Sequence, residues 1–151
     1  MTQFQTPDEN FAGRVRESFA RQQVMQTIGA SLTVVEAGVV EIELPYRTDL
    51  TQQHGFIHAG IVSTVLDSAC GYAAFSLMPA DAAVLSIEFK VNLLAPAKGE
   101  RLRARAEVKR AGQNVTVCTA DAWAITDAES KLVATMLATM MCLRGRGNLN
   151  G

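Results

Sequence analysis

Apolar residues recur every four positions near the start of the chain, which is the spacing of one face of an α-helix. The segment before them, Thr6–Glu9, has the S/T-x-x-E form of a capping box with a proline at the first helical position. The pattern predicts an amphipathic helix over about residues 7–27, closed by Gly29. The apolar series consists of Phe11, Val15 and Phe19.

Two short apolar runs follow, at residues 32–35 and 39–44, and the sequence Glu-Ala-Gly lies between them. They predict a hairpin or one bulged strand that folds about residues 36–38. The next segment, 51–60, contains two glycines and two histidines and has little periodicity, so it is expected to be a loop.

A broad apolar stripe then predicts a second helix over about residues 59–77, stopped by Pro79. Asp67 is the only acidic residue within it and lies beside the stripe. A carboxylate in a mostly apolar helix is costly unless it has a partner, so Asp67 is a candidate general base or nucleophile. A salt bridge or a capping role is the alternative interpretation.

From residue 82 onward the apolar period changes to two, the side-chain period of a β-strand. The alternation over 85–93 assigns Ser86 to the polar face, with Glu88 and Lys90. Further strands are predicted at about 102–109, 115–126 and 131–143. Since a parallel crossover needs a dozen or more residues, these four strands are expected to form an antiparallel meander.

The last predicted strand is apolar on both faces, so it should be central in the sheet or covered by a partner. One long apolar helix against a single curved antiparallel sheet indicates an α+β architecture. Residues 1–30 are then a helical extension, residues 31–144 the main domain, and residues 145–151 a flexible polar tail.

Composition narrows the classes of function. A chain of 151 residues is one domain and buries enough surface to fold without disulfides. With 14 basic and 15 acidic residues the net charge is -1, which gives no positive field for nucleic acid or an anionic membrane. The 48% hydrophobic and 19% charged fractions make an oligomer plausible.

The three cysteines, Cys70, Cys118 and Cys142, are odd in number and far apart, so neither a disulfide framework nor a zinc cluster is indicated. A reducing compartment fits this pattern. The first ten residues have no signal-peptide character, and no window is apolar over the length of a membrane span. The expectation is a cytoplasmic protein.

Candidate chemistry is confined to residues 54–67. No G-x-S-x-G elbow, P-loop or G-x-G-x-x-G fingerprint occurs, which removes α/β serine hydrolases, P-loop proteins and Rossmann enzymes. His58-Ala59-Gly60 begins the central helix, where free N–H groups can hold a carbonyl oxygen as it becomes an oxyanion. His54, His58 and Asp67 are also candidate metal ligands, but Gly55 disfavours a helix there and no further ligand cluster exists, so a buried structural role is expected for each histidine and no metal is expected.

Three segments of the chain are distinctive: QQHGFIHAGIVSTVLDSACGYAA, SIEFKVNLLAPAKGE and VKRAGQNVTVCTADA. Together they resemble the hotdog-fold acyl-CoA thioesterases of the PaaI branch. The resemblance covers about residues 32–143. It implies a hotdog fold, in which a curved antiparallel sheet wraps a long central helix, and a dimer or dimer of dimers. It also implies hydrolysis of an acyl-CoA to free acid and coenzyme A without a cofactor.

The resemblance further implies that Asp67 is the base or nucleophile, that the Ala59 amide polarises the thioester carbonyl, and that His58 orients this loop. The family's H-G-G is H-A-G here, so Ala59 keeps its N–H but adds a methyl group. Three more positions are implied: Gln52 or Gln53 where relatives often carry asparagine, and Ser86 where relatives place the attacking water.

Basic residues beside the Gly112 turn are candidates to meet the phosphates of coenzyme A. The predicted coenzyme A contacts are Gly60, Lys109, Arg110, Gly112 and Gln113, with Arg101, Arg103 and Arg105 as a second choice. Medium- or long-chain acyl groups fit the apolar residues near the helix, and aryl groups remain open.

Geometry adds one requirement. Ala59 and Asp67 are eight residues apart on one helix, roughly 12 Å along its axis at 1.5 Å per residue. Both cannot touch one thioester, so a site that uses both must be shared between two subunits. The alternatives to hydrolysis are a hotdog hydratase or dehydratase, which needs a paired histidine and carboxylate, and a non-catalytic acyl-CoA-binding protein.

Overall fold

The protein, described here by a computed structural model over residues 4–149 and 151, has one long helix packed across the inner face of a single sheet. The predicted α+β architecture is confirmed. The elements are α1 Phe11–Arg21, α2 Gln23–Ile28, β1 Ser31–Glu36, β2 Val39–Pro45, α3 Ala59–Phe75, β3 Ala83–Leu93, β4 Arg101–Ala111, β5 Val115–Ile125 and β6 Ser130–Leu143.

All neighbouring strands are antiparallel, and their order is β1-β2-β4-β5-β6-β3. The prediction of a continuous four-strand meander is therefore wrong at one step, because β3 pairs with β6 and not with β4. Residues 94–100 pass the ends of β6 and β5, where Leu94 donates to Val133 and Glu100 to Ile125. Three strand spacings are about 14 Å, which seven residues span easily.

The core lies between α3 and the sheet. As predicted, β6 is central, with β5 on one side and β3 on the other. Small side chains on the inner face of the central strands let the helix pack closely; they are Ala104, Ala106, Ala120, Ala122, Ala134 and Ala138, all buried. Among the described residues, no helix combines the length and apolarity needed to cross a bilayer.

The N-terminal helix is shorter than predicted and is broken in two. It begins at Phe11, and Gln22 interrupts it with φ -76° and ψ 99°, which separates α1 from α2. The prediction of one helix over residues 7–27 is therefore wrong. Gly29 ends α2 as predicted, because its φ of +78° is a left-handed conformation that glycine adopts without strain.

The predicted capping box does not form. Thr6 instead donates its hydroxyl to the Ser76 carbonyl at 2.9 Å, and α1 has no side-chain cap. The Asp8 carboxylate accepts from the Arg14 Nε at 2.7 Å, and this hydrogen bond is the main reason that the pKa of Asp8 lies below its usual value. Thr6 thus binds a distant helix end, and Asp8 holds the Arg14 side chain.

That distant end is the C-terminus of α3. Arg14 donates to the carbonyls of Phe75, at 3.2 Å, and Met78, at 2.7 Å, and its guanidinium lies 4.1 Å from the centre of the Phe75 ring. The Ser76 hydroxyl accepts from the Gly38 amide at 2.8 Å. We call Thr6, Asp8 and Arg14 the α3 clamp, since they fix the extension to the central helix.

The segment before α3 matches both parts of its prediction. β1 and β2 form a hairpin, and the pairing register shifts between Leu32 and Val34, so the hairpin also contains a bulge. The loop spans residues 51–58, two residues fewer than predicted, with a single bridge between Thr51 and Ile57, and α3 begins at Ala59 as predicted.

Candidate active site

The N-terminus of α3 is capped by a histidine. His58 is the N-cap residue, and its Nδ1 accepts a hydrogen bond from the Gly60 amide at 2.8 Å. Because Nδ1 is an acceptor, the proton of the neutral ring is on Nε2. A Cβ at position 60 would lie 3.0 Å from His58 Nδ1, which accounts for a glycine there.

The Ala59 amide, at the first position of α3, has no hydrogen-bond acceptor among the described residues. The carbonyl four residues earlier, that of Gly55, lies outside the helix and accepts from the Tyr46 hydroxyl at 2.8 Å. The amides of Ile61 and Val62 both donate to the His58 carbonyl. The Ala59 N–H is therefore the donor left free at the positive end of the helix.

This amide borders a largely apolar cavity of about 510 Å³, which we call the Ala59 pocket. Gln52 lines it and accepts a hydrogen bond from the His54 amide through its side-chain oxygen. Gln53 does not line it, and its exposed amide lies near the His54 ring instead. The other lining residues are Phe56, Ile57, Val62, Leu93, Leu94, Ala95, Pro96, Ala97 and Val133.

Asp67, two turns further along α3, is half-buried and accepts a hydrogen bond from the Ser86 hydroxyl at 2.7 Å. The sequence pattern assigned Ser86 to the polar outer face, and this assignment is wrong. A β-bulge between Ser86 and Glu88 adds Ile87 to the strand, so that Ser86 pairs with the buried Met140 and points toward α3. Before the bulge the even-numbered residues of β3 lie on the inner face of the sheet, and after it the odd-numbered residues do.

A second cavity, of about 340 Å³, contains Asp67 and Ser86, and we call it the Asp67 pocket. Residues 68, 71 and 72 of α3 and residues 83–85 of β3 complete much of its wall. Ser18 and Gln22 come from the N-terminal extension, and Leu149 and Gly151 from the tail. No lysine or arginine lines the pocket among the described residues, so Asp67 is its one charged group.

The other ionisable groups beside Asp67 stay neutral. Burial raises the pKa of the Tyr72 phenol, although a hydrogen bond with Ser18 opposes this. Burial also raises the pKa of Cys70, with smaller contributions from Cys118 and Asp67, and it raises the pKa of Cys118 to about 12. Buried thiols that remain protonated are poor nucleophiles, so Asp67 stays the candidate base or nucleophile of this pocket.

The structure does not bring Ala59 and Asp67 together within one chain. They lie on one straight run of α3, in separate pockets, about 12 Å apart along the helix. His54 and His58 stay at the Ala59 end and are exposed, so the expectation of buried structural histidines is wrong. Within residues 4–149 and 151 no three His, Cys, Asp or Glu side chains group in a way that would hold a metal ion.

The predicted coenzyme A contacts fall into two places. Gly60 is at the N-terminus of α3, and its amide is occupied by His58. The other four, Lys109, Arg110, Gly112 and Gln113, lie exposed where β4 turns into β5. A row of paired residues runs from Ser86 across β6 and β5 to Ala111, so this turn is three strand spacings, about 14 Å, from Ser86.

The second-choice arginines lie on the outer face of the sheet and are already engaged. Arg101 pairs with Glu43 at 3.4 Å, and Arg105 pairs with Glu41 at 3.5 Å. Arg103 lies against Trp123, 5.7 Å from the ring centre. They form a solvated strand face.

Comparison with known proteins identifies the family. A model described as the thioesterase superfamily matches residues 54–131. The chain belongs to the thioesterase superfamily. A solved thioesterase family protein from Silicibacter pomeroyi is 61% identical, with a TM-score of 0.88 over 89% of this chain and 99% of that one. The predicted hotdog thioesterase fold is thus confirmed, and the protein is a thioester hydrolase.

Two further relatives of this thioesterase are more distant. A proposed esterase from Saccharolobus solfataricus is 28% identical over 131 residues, which is 86% of this chain and 91% of that one. The E. coli PaaI protein from the phenylacetic acid degradation operon is 17% identical, with a TM-score of 0.80 over 90% of this chain and 95% of that one. The second likeness concerns the fold alone.

Sequence reasoning missed three residues near the thioesterase site. Ser18 and Gln22 line the Asp67 pocket, and no motif links them to it because they lie more than forty residues away in the chain. Arg144 donates to the Gln113 carbonyl at 2.8 Å and so adds a cation to the β4–β5 turn. The basic composition of the segment after β6 was the one available signal for it.

Proposed function

We propose that this thioesterase hydrolyses acyl-CoA, with a medium- or long-chain acyl group, at a site shared between two protomers. The observation that carries the proposal is the position of the two pockets along β3. The Asp67 pocket includes the start of the strand, residues 83–86, and the Ala59 pocket includes its end, Leu93.

β3 is a long edge strand with apolar residues exposed on both of its faces. Leu85 is 54% exposed on the outer face. Phe89 and Leu93 pair with the buried Ala138 and Ala134 on the inner face, yet are 43% and 55% exposed. An uncovered edge of this length favours pairing with another strand. We infer that two copies of β3 pair antiparallel about a two-fold axis.

Antiparallel pairing sets the end of one β3 beside the start of the other. The Ala59 pocket of one protomer then adjoins the Asp67 pocket of its partner, and the amide and the carboxylate can reach one thioester. This arrangement removes the 12 Å separation that α3 imposes within one chain, and each dimer has two equivalent sites.

In the proposed reaction the thioester oxygen accepts a hydrogen bond from the Ala59 N–H, and the helix N-terminus stabilises the charge that develops on it. Asp67 of the partner, held by Ser86, takes a proton from water while the water oxygen bonds to the carbonyl carbon. The C–S bond then breaks, and the thiolate of coenzyme A receives that proton. Direct attack by the Asp67 carboxylate, followed by hydrolysis of the anhydride, uses the same geometry.

The phosphates of coenzyme A are proposed to bind at the β4–β5 turn through Lys109, Arg110 and Arg144. The distance of about 14 Å from Ser86 to this turn suits an extended pantetheine arm. Gly112 and Gln113 shape the turn, since a Cβ on Gly112 would lie 2.6 Å from the Val115 carbonyl. Gln52 contributes from the Ala59 side, where His58 and Gly60 fix the loop.

The decisive experiment mixes two inactive variants. Asp67→Asn removes the base, and its kcat should fall about a hundredfold or more. Ala59→Pro removes the N–H, and it should fold because that N–H has no internal acceptor and His58, at ψ 138°, already has the conformation preferred before proline. In an exchanged mixture half of the dimers are mixed, and each mixed dimer has one intact site. Activity should return to roughly a quarter of the wild-type value.

Matched controls make this result specific. Ala59→Gly keeps the N–H and should remain active, and Asp81→Asn removes an exposed acid outside both pockets. A mixture that stays inactive although mass spectrometry shows mixed dimers would exclude the shared site. Light scattering should give a dimer or a larger even oligomer, and a fully active monomer would also contradict the proposal.

A further inference from the structure

The wall of the Asp67 pocket opposite β3 comes from the N-terminal extension. On α3, Asp67 and Gly71 share one face, and Ser68 and Tyr72 share the next face, which points toward α1. A Cβ on Gly71 would have no atom within 4 Å, so the floor between the two walls is open. An acyl group that reaches Asp67 can therefore extend toward α1.

The polar groups on this far wall are paired, with one exception. The Ser18 and Tyr72 hydroxyls lie 3.2 Å apart, and the Ser68 hydroxyl donates to the Gln22 side-chain oxygen at 3.2 Å. The side-chain nitrogen of Gln22 has no acceptor among the described residues. An amide has two N–H donors, and a donor that faces a partly apolar cavity is costly unless a ligand or water accepts from it.

Two hydrogen bonds hold the backbone of Gln22 in place. Gln22 ends α1 and begins α2: its amide donates to the Phe19 carbonyl at 3.0 Å, and its carbonyl accepts from the Met25 amide at 3.1 Å. Its φ of -76° and ψ of 99° are open to any L-residue. Gln22 thus lies in the pocket wall, and because its side-chain oxygen accepts from Ser68, a substitution that removes the amide removes both that acceptor and the free donor.

We propose that Gln22 determines the acyl specificity of the enzyme by donating a hydrogen bond from its side-chain amide to an oxygen substituent on the acyl group. The inference rests on the proposed acyl-CoA hydrolysis at Asp67. The substituent is neutral in this proposal, such as a hydroxyl, because a second carboxylate would be repelled by Asp67, and the nearby Arg21 guanidinium already donates to the Gly151 carbonyl.

The test compares octanoyl-CoA with octanoyl-CoAs that carry one hydroxyl, placed at successive carbons of the chain. The wild-type kcat/KM should be about tenfold higher for at least one hydroxylated substrate, as expected for one hydrogen bond to an otherwise unsatisfied donor. Gln22→Met keeps the length and flexibility of the side chain without the donor. Gln22→Met should abolish that preference and leave octanoyl-CoA hydrolysis within about twofold, whereas Ser68→Ala, which removes only the hydrogen bond to the Gln22 oxygen, should keep the preference.

Gln23→Met is the matched control, since Gln23 is exposed, follows directly in the chain and lines neither pocket. It should keep the wild-type preference. No preference in the wild type, or the same preference in Gln22→Met, would overturn the role of Gln22. Those results would leave octanoyl-CoA hydrolysis intact, whereas full activity of Asp67→Asn would instead overturn the proposed mechanism.

Discussion

The two ends of α3 differ in whether their backbone groups have hydrogen-bond partners. At the C-terminus, carbonyls of the last turn and the residues after it accept from Thr6 and Arg14, and the helix end is covered by the extension. At the N-terminus, His58 satisfies one amide and the Ala59 N–H is left free beside a cavity. Helix-end backbone groups thus have partners at the C-terminus of α3, whereas one N–H has none at the N-terminus, where we propose that the thioester binds.

The largest effect of a substitution is expected at the N-terminus of α3, which is the open end. Ala59→Pro should lower kcat by about 100- to 1,000-fold, as expected for the loss of one oxyanion donor, and should leave the melting temperature nearly unchanged. Steady-state kinetics together with thermal denaturation would measure both effects. A large fall in stability would show that the N–H has an internal role.

The opposite outcome is expected at the closed end. Arg14→Met should lower the free energy of unfolding by roughly 2 kcal/mol or more, because two helix-end carbonyls lose a charged donor and Asp8 loses its partner. The kcat/KM of the folded enzyme should not change. Urea denaturation would measure the loss, with Arg16→Met, an exposed neighbour on α1, expected within about 0.5 kcal/mol of wild type.

Acid should weaken the closed end selectively. The hydrogen bond from Arg14 lowers the pKa of Asp8 from 3.8, so its contribution to stability is fully present above that value and is lost as the pH falls through the lower folded-state pKa. The stability difference between wild type and Asp8→Asn should therefore shrink between pH 6 and pH 2.5. A stability difference that stays constant over this range would show that the ionised Asp8 carboxylate does not stabilise the α3 clamp.

The smallest effect is expected at the β4–β5 turn. Arg110→Gln and Arg144→Gln should each raise KM for acyl-CoA roughly threefold at low salt, and kcat should be unaffected, because exposed charges contribute little individually. Arg103→Gln, on the outer face against Trp123, is the matched control. If Arg110→Gln and Arg144→Gln have the same KM as the control Arg103→Gln, the phosphates of coenzyme A bind elsewhere.

Periodic segments were predictable from the sequence, and departures from periodicity were not. α3 was assigned to within two residues because its stripe is long and apolar. Ser86 was assigned to the wrong face because a single inserted residue, Ile87, reverses the alternation without a residue type that marks it. The seven residues 94–100 are long enough either to turn back into a neighbouring strand or to pass the ends of two strands. Their length therefore did not determine the partner of β3.

Residues of the site that depend on distant contacts were equally hidden. The pattern at Thr6 indicates a local cap, but a bond to the end of α3 competes with that cap and replaces it. Gln22 lies where helical periodicity runs without interruption, and only the packing of α1 against α3 gives it a role. In contrast, Asp67 was a candidate from the sequence because it is a charged residue beside an apolar stripe, and its catalytic role stays a prediction.

The bulge at Ile87 divides β3 into two segments whose side-chain orientations are set separately. The residues before it hold the hydroxyl that contacts Asp67, and those after it supply most of the exposed edge. Substitutions in the second segment can therefore change the proposed pairing of two β3 strands without turning Ser86 away from the Asp67 carboxylate. Deleting the one extra residue would couple the segments again, so evolution in this strand is expected to tolerate substitutions more readily than changes in its length.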